Sequence, residues 1–213
     1  MTTALRQQLI DTALALNASG LNQGTSGNLS VRFESGMLIT PASMDYAGLV
    51  PDDIVWVDLD GNCKGKHRPS SEWQFHADIY RHRAEADADA ILHAHPVNCT
   101  ALACLGKGIP AFHYMVAVAG GNDIRCADYA TFGTRELSEN VLKALEDRKA
   151  CLMAHHGMTC FDKDLPGALA LAIEVETLAA VYGRILAIGE AEILTDNEMD
   201  RVIKKFDSYR VQD

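Results

Sequence analysis

Apolar and polar positions recur along the chain with two periods, and the changes of period mark out its elements. Residues 3–19 carry apolar side chains at helical spacing and stop at Gly20, which predicts an opening helix. Residues 28–33 and 37–40 alternate with period two around Glu34-Ser35-Gly36, the pattern of a hairpin. Residues 54–57 read as another strand, closed by the Asp60-Gly61 turn. Ser70 or Ser71 then stands where a cap belongs, before a helix running to about Arg83. Residues 90–95 form a strand that Pro96 ends, and a short helix is expected over 97–104. A strand is expected over 115–119, a helix over 134–147, and strands over 150–154 and 157–161. Helices over 165–188 and 196–207 complete the chain.

Strands and helices mixed in this way predict an α/β fold whose central sheet is covered by helices on both faces. The tight strand-to-strand turns predict a mixed or antiparallel sheet. No linker, repeat or low-complexity run divides the sequence, so one domain over residues 1–213 is expected.

Composition narrows the function. The chain is 48% hydrophobic and 23% charged, an ordinary globular balance, with a formal net charge of −10. Without a block of Lys or Arg, such a chain is a poor match for nucleic acid or an acidic membrane. Any anion must be held locally, by backbone amides, hydroxyls or a metal. The apolar stretch 165–188 carries Glu174, Glu176 and Arg184, so it reads as a buried or interface helix and not a membrane span. The start of the chain lacks a basic region followed by an apolar run, and none of the cysteines forms a CxxC pair. A cytoplasmic protein with reduced thiols is expected.

Four segments carry candidate chemistry. In His93-Ala94-His95 the two imidazoles share one face of a strand and could bind one metal at the sheet edge. In His155-His156-Gly157 only one histidine can join them, and Gly157 allows a sharp turn or a close approach. Together the clusters could supply three histidines, a set that suits catalytic zinc with an open position; His155 reads as the structural member. In Ser70-Ser71-Glu72, hydroxyls and free amides at a helix start could hold a phosphate, or simply cap the helix. Glu72 could act as a base near the metal, and His76, four residues on, could pair with it as a ligand. Gly24-Thr25-Ser26-Gly27-Asn28-Leu29-Ser30 could form a backbone nest for an anion, or be a plain polar loop.

The segments GLNQGTSGNLSVR, GMLITP, PSSEW, HAHPV, IPAFHYMVAVAGG, YATFGTRELSE and AHHG, in this order, resemble the class II aldolase/adducin superfamily, and within it the bacterial L-fuculose-1-phosphate aldolase family. The resemblance implies a three-layer α/β/α sandwich around a mixed, largely antiparallel sheet. It implies a C4 homotetramer with active sites between subunits, acting on a sugar phosphate. One Zn2+ per subunit would be held by His93, His95 and His156, with Glu72 as fourth ligand at rest. The substrate phosphate would lie against Thr25, Gly27, Asn28, Ala42, Ser43, Ser70 and Ser71. Tyr114 matches a tyrosine that reaches a neighbouring subunit's site, Phe132 an aromatic wall residue, and Tyr209 a tyrosine of the C-terminal tail. Glu72, Tyr114 and Tyr209 would be catalytic, in the zinc-dependent cleavage of a ketose 1-phosphate into dihydroxyacetone phosphate and an aldehyde. Two positions depart from the pattern. Ala42-Ser43 stands where that family has Thr-Gly, and Asp123 lies in a stretch where related pentulose-phosphate 4-epimerases carry a catalytic aspartate. Epimerisation, dehydration or decarboxylation on the same scaffold is therefore the alternative reading.

Overall fold

The computed structural model describes residues 2–83 and 88–209, apart from the side chains of Asp207 and Tyr209. Helix α1 (Thr2–Ala18) leads into the hairpin β1 (Asn28–Phe33) and β2 (Gly36–Ile39), followed by β3 (Val55–Asp58) and the two-residue β4 (Cys63–Lys64). Helix α2 (Trp73–His82), strand β5 (Ala90–Ala94) and helix α3 (Val97–Cys104) come next. A 3-10 helix (Tyr114–Ala119) precedes β6 (Arg125–Ala127), α4 (Arg135–Ala144), β7 (Ala150–Met153), β8 (Gly157–Asp162), α5 (Leu165–Ile188) and α6 (Asp196–Tyr209).

Among the described residues the strands form one sheet in the order β4-β3-β2-β1-β5-β8-β7-β6, and only β6 and β7 run parallel. Helices α1, α3 and α5 cover one face, and α2 and α4 the other. This is the three-layer, largely antiparallel sandwich that the resemblance implies. Strand alternation sorts the side chains between two cores. Leu29, Val31, Ala90, Leu92, Met158 and Cys160 pack under α1, α3 and α5. Ile39, Val57, Ile91 and Phe161 pack against Phe75, Ile79 and Tyr80 of α2 and Leu137 and Val141 of α4. No helix among the described residues is long and apolar enough to cross a membrane.

The expected strand over 115–119 is a correction. Its alternating Val and Ala residues form a 3-10 helix, in which Val116 and Ala119 share a face at i,i+3 spacing and are both buried. The His113 side chain accepts the Met115 N–H to start it, and Gly120, at φ 92°, closes it. A second correction concerns α2. Neither Ser70 nor Ser71 is its cap: Glu72 occupies the cap position, yet its side chain makes no capping bond. Instead Ser70 Oγ accepts the Glu72 N–H from outside the helix.

Candidate functional site

The reason Glu72 does not cap its own helix lies above the end of β5. His93 is the fourth residue of β5 and faces α2; His95 follows on the same face just past the strand, before Pro96. His156 enters from the turn into β8. That turn is fixed from several sides: Ala154 N–H donates to the Ala127 carbonyl, His155 N–H to Ala103, and His156 N–H to Met153. His155 takes the left-handed backbone (φ 54°) that directs its neighbour inward, and is itself exposed. Gly157 supplies the close approach: a Cβ there would lie 2.4 Å from the Ala94 carbonyl and 2.8 Å from His95 Cδ2.

His93, His95 and His156 bring one ligand atom each to within 4.8 Å of one another, and the three ring centroids are mutually 4.8 Å apart. Glu72 reaches across them. Its Oε2 lies 3.1 Å from His93 Nε2, and its Oε1 lies 3.4 Å from His156 Nε2. Asn28, opposite His93 in the β1–β5 register, donates from Nδ2 to Glu72 Oε2 at 2.9 Å. Glu176 on α5 accepts the Asn98 and Cys99 N–H groups, which fixes the first turn of α3 directly after His95 and Pro96.

The electrostatics follow from burial and charge. Glu72 is only 5% exposed, which disfavours its carboxylate, but His93, His156 and Asn28 outweigh this and hold it well below the usual range. Burial pushes His95 and His156 down to about 4, and neighbouring His93 adds to this. Burial also disfavours charge on His93, yet the Glu72 carboxylate and hydrogen bonds to Glu72 and the Met158 carbonyl raise it above its ordinary value. One fixed negative charge thus faces a cluster with room for one positive charge.

The profile of the family described as the Class II Aldolase and Adducin N-terminal domain matches residues 7–182. The chain belongs to this class II aldolase family. It is 55% identical over 206 residues to the 5-methylthioribulose-1-phosphate/5-deoxyribulose-1-phosphate aldolase of Rhodospirillum rubrum, covering 97% of this chain and 92% of that one. It is 50% identical to the L-fuculose phosphate aldolase of Escherichia coli, covering 96% and 95%. A solved L-fuculose 1-phosphate aldolase superposes with a TM-score of 0.93 at 42% identity, covering 97% of this chain and 98% of that one. The chain is accordingly a class II aldolase, a carbon–carbon lyase of the metal-dependent class.

The residues present fit a metal. His93 Nδ1–H donates to the Met158 carbonyl at 2.8 Å, which directs Nε2 inward, 3.0 Å from His95 Nε2. Glu72 Oε1 is buried and has no hydrogen-bond donor among the described residues. Imidazole nitrogens 3.0 Å apart, with a carboxylate oxygen 3.1 Å from one of them, need positive charge among them, a proton on His93 or a metal ion, and three inward-facing nitrogens with the bare Glu72 Oε1 are a donor set that suits the metal.

Other expected site residues fall in different places. Ser71, Glu72, His95, His156 and Phe132 line a cavity of about 310 Å³, with Phe132 exposed at its wall. Ser26 of the expected anion nest, His155 and Tyr129 line the same cavity, and Tyr129 is the one to which the sequence assigns no role. Thr25 and Ser43 are exposed, while Gly27, Asn28 and Ser70 are buried. Gly27 is pressed against β5, where a Cβ would lie 2.7 Å from the His93 carbonyl. Ser43 keeps a left-handed backbone (φ 56°), the conformation that the glycine of the family pattern adopts freely. The Asn28 side-chain amide is taken up by Glu72 and His76. The Ala42 N–H is likewise taken, by the Arg68 carbonyl. His76 is not a second ligand beside Glu72: its Nδ1 meets Ser30 Oγ and its Nε2 meets Asn28 Oδ1.

Tyr114 lines a different cavity from the one that His95 and His156 line. It is 49% exposed, stacks on Phe206 and lines a cavity of about 920 Å³ with Phe112, Leu194 and Val202. The side chain of Tyr209 lies outside the described residues. Asp123 is held by Arg148, whose Nε donates to its Oδ1 at 2.7 Å, and Gly121 leaves the space that the guanidinium fills.

Proposed function

We propose that this aldolase is zinc-dependent and reversibly cleaves a ketose 1-phosphate into dihydroxyacetone phosphate and an aldehyde. Its substrate is L-fuculose 1-phosphate or a 5-deoxypentulose or 5-methylthioribulose 1-phosphate, the classes named for its relatives. The observation that carries the reading is the buried Glu72 carboxylate, one oxygen anchored by Asn28 and the other bare, facing three converging imidazoles.

In this reading His93, His95 and His156 hold the zinc, one per subunit, and Glu72 completes its ligand set at rest. When bound, the metal supplies the positive charge that polarises the ketose carbonyl and steadies the negative charge released as the C3–C4 bond breaks. Glu72, in its protonated form, would deliver a proton to C3, balanced by the proton lost from the C4 hydroxyl. Thr25, Gly27, Asn28, Ala42, Ser43, Ser70 and Ser71 surround the phosphate, with Thr25, Ser43, Ser70 and Ser71 offering hydroxyls. Tyr114 of a neighbouring subunit in a C4 homotetramer helps remove the C4 hydroxyl proton. Phe132 and Tyr209 contact the aldehyde half. The chain works as one domain, in the cytoplasm.

The epimerase alternative would need a free acid at position 123, and the grip of Arg148 on Asp123 speaks against it. The deciding assay measures dihydroxyacetone phosphate released from the three ketose 1-phosphates in parallel, with a metal-stripped control. Zinc-dependent release is expected, and the order of rates names the substrate; no release from zinc-loaded protein overturns the proposal. Glu72→Gln is expected to retain zinc while slowing solvent exchange of the C3 proton of dihydroxyacetone phosphate at least 100-fold, in line with removal of a positioned acid–base group. Unchanged exchange would remove Glu72 from this role.

A further inference from the structure

Behind Glu72 runs a buried polar chain that the proposed chemistry does not use. Tyr80 OH lies 2.8 Å from Ser30 Oγ, and Ser30 Oγ lies 2.7 Å from His76 Nδ1. His76 Nε2 lies 2.6 Å from Asn28 Oδ1, and Asn28 Nδ2 lies 2.9 Å from Glu72 Oε2. Ser30, His76 and Tyr80 are fully buried, and Asn28 and Glu72 nearly so. Asn28 and Ser30 project from one face of β1; His76 and Tyr80 stand one turn apart on α2 above it.

Each link has one donor and one acceptor, and the order is forced from the Glu72 end. An ionised carboxylate only accepts, so Asn28 must present its NH2 to Glu72 and its carbonyl oxygen to His76. His76 must then carry its proton on Nε2, which makes Nδ1 an acceptor. Ser30 must donate to Nδ1, and Tyr80 must donate to Ser30. Burial holds His76 neutral, with its pKa pushed down to about 3, so it has a single proton to place.

We propose that His76 is a positioning residue for the acid–base step: locked in one tautomer by Ser30 and Tyr80, it orients Asn28 so that Glu72 Oε2 is tethered and Oε1 is the oxygen left free to work. Reversing the Asn28 amide would set its carbonyl against the carboxylate, an unfavourable buried contact that would push Glu72 out of place. Asn28 therefore serves the carboxylate through its side chain. This rests on the role of Glu72 proposed above.

The test uses zinc-loaded enzyme labelled with 15N-histidine. Long-range proton–nitrogen spectra are expected to show His76 as the neutral Nε2–H tautomer with a slowly exchanging proton; an Nδ1–H tautomer overturns the proposal. In parallel, C3 proton exchange of dihydroxyacetone phosphate is measured for His76→Phe and His76→Gln. Phenylalanine fills the space but donates nothing, so kcat for exchange is expected to fall at least tenfold with KM changed less than threefold. Glutamine can donate to Asn28 Oδ1, and is expected to restore kcat to within threefold. Wild-type kcat in His76→Phe, or a loss that glutamine leaves in place, overturns the positioning role. Should His76→Phe fail to fold, Ser30→Ala decides: loss of the single tautomer together with a threefold or larger fall in kcat supports the proposal, and wild-type behaviour overturns it. Wild-type enzyme that exchanges no C3 proton defeats the acid–base role of Glu72 instead, and the tautomer spectrum still reports on the network.

Discussion

Gly157→Ala separates the geometry of the metal site from the stability of the fold. The added methyl would sit 2.4 Å from the Ala94 carbonyl oxygen and 2.8 Å from His95 Cδ2, about 1 Å and about 0.6 Å inside ordinary van der Waals contact. The strand pairing of Ala94 with Met158 holds the carbonyl, so the yielding group is the His95 ring or the whole turn that carries His156. Overpacking of this kind costs about 1–3 kcal/mol of stability. A ligand constellation tolerates displacements of only about 0.5 Å, and disturbing a ligand's support weakens metal binding about 10–100-fold. Gly36→Ala is the control. Its methyl would lie 2.2 Å from the Val57 carbonyl, where β2 pairs with β3, with no metal-site residue against it. Both variants should lower the melting temperature of metal-free protein by several degrees. Competition against a chromophoric chelator should show zinc affinity reduced 10–100-fold in Gly157→Ala and unchanged in Gly36→Ala. Wild-type affinity in Gly157→Ala would mean that neither His95 nor His156 is a ligand in the position the structure gives it.

Two further predictions rest on charge. In metal-free protein His76 is buried neutral, with its pKa pushed down to about 3 by burial and by His93, against a partial offset from Glu72. The unfolded chain takes up that proton first, at its ordinary value near 6.5, so stability present above pH 6.5 is lost as pH falls, at up to about 1.4 kcal/mol per unit. Urea unfolding between pH 6.5 and 5 should show this slope, and His76→Gln should flatten it; parallel profiles would show that His76 is not held neutral. Asp123→Asn removes the charge that faces Arg148, which is 8% exposed. It is expected to cost about 1–2 kcal/mol, discounted because Asp123 itself is 41% exposed, and to leave cleavage per folded subunit within twofold. Cleavage lost at full stability would instead place Asp123 in the reaction itself.

What the sequence discloses and what it hides both follow from period two. His93 and His95 are legible as one cluster because a strand puts them on one face, and Pro96 marks where the face ends. His156 is legible only as one of two, since adjacent residues face opposite ways; the left-handed backbone at His155, which settles the choice, leaves no mark in a histidine pair. Glu72 is legible as a first-turn carboxylate, but not as one drawn away from its cap position by imidazoles brought from β5 and β8. The His76 network is the deeper omission. Asn28 and Ser30 alternate with Leu29 and Val31, which reads as a strand with one apolar face and one wet one. Yet the same reading predicts a sheet covered on both faces, and such a sheet has no wet face at its centre. The polar positions of β1 must then be satisfied from the covering helix, because buried hydroxyls and amides without partners are costly. His76 and Tyr80, polar-tipped and four residues apart on α2, are the side chains able to meet them. A central strand that alternates small polar with apolar residues therefore points to a buried network, and here the network ends on the carboxylate that faces the three histidines.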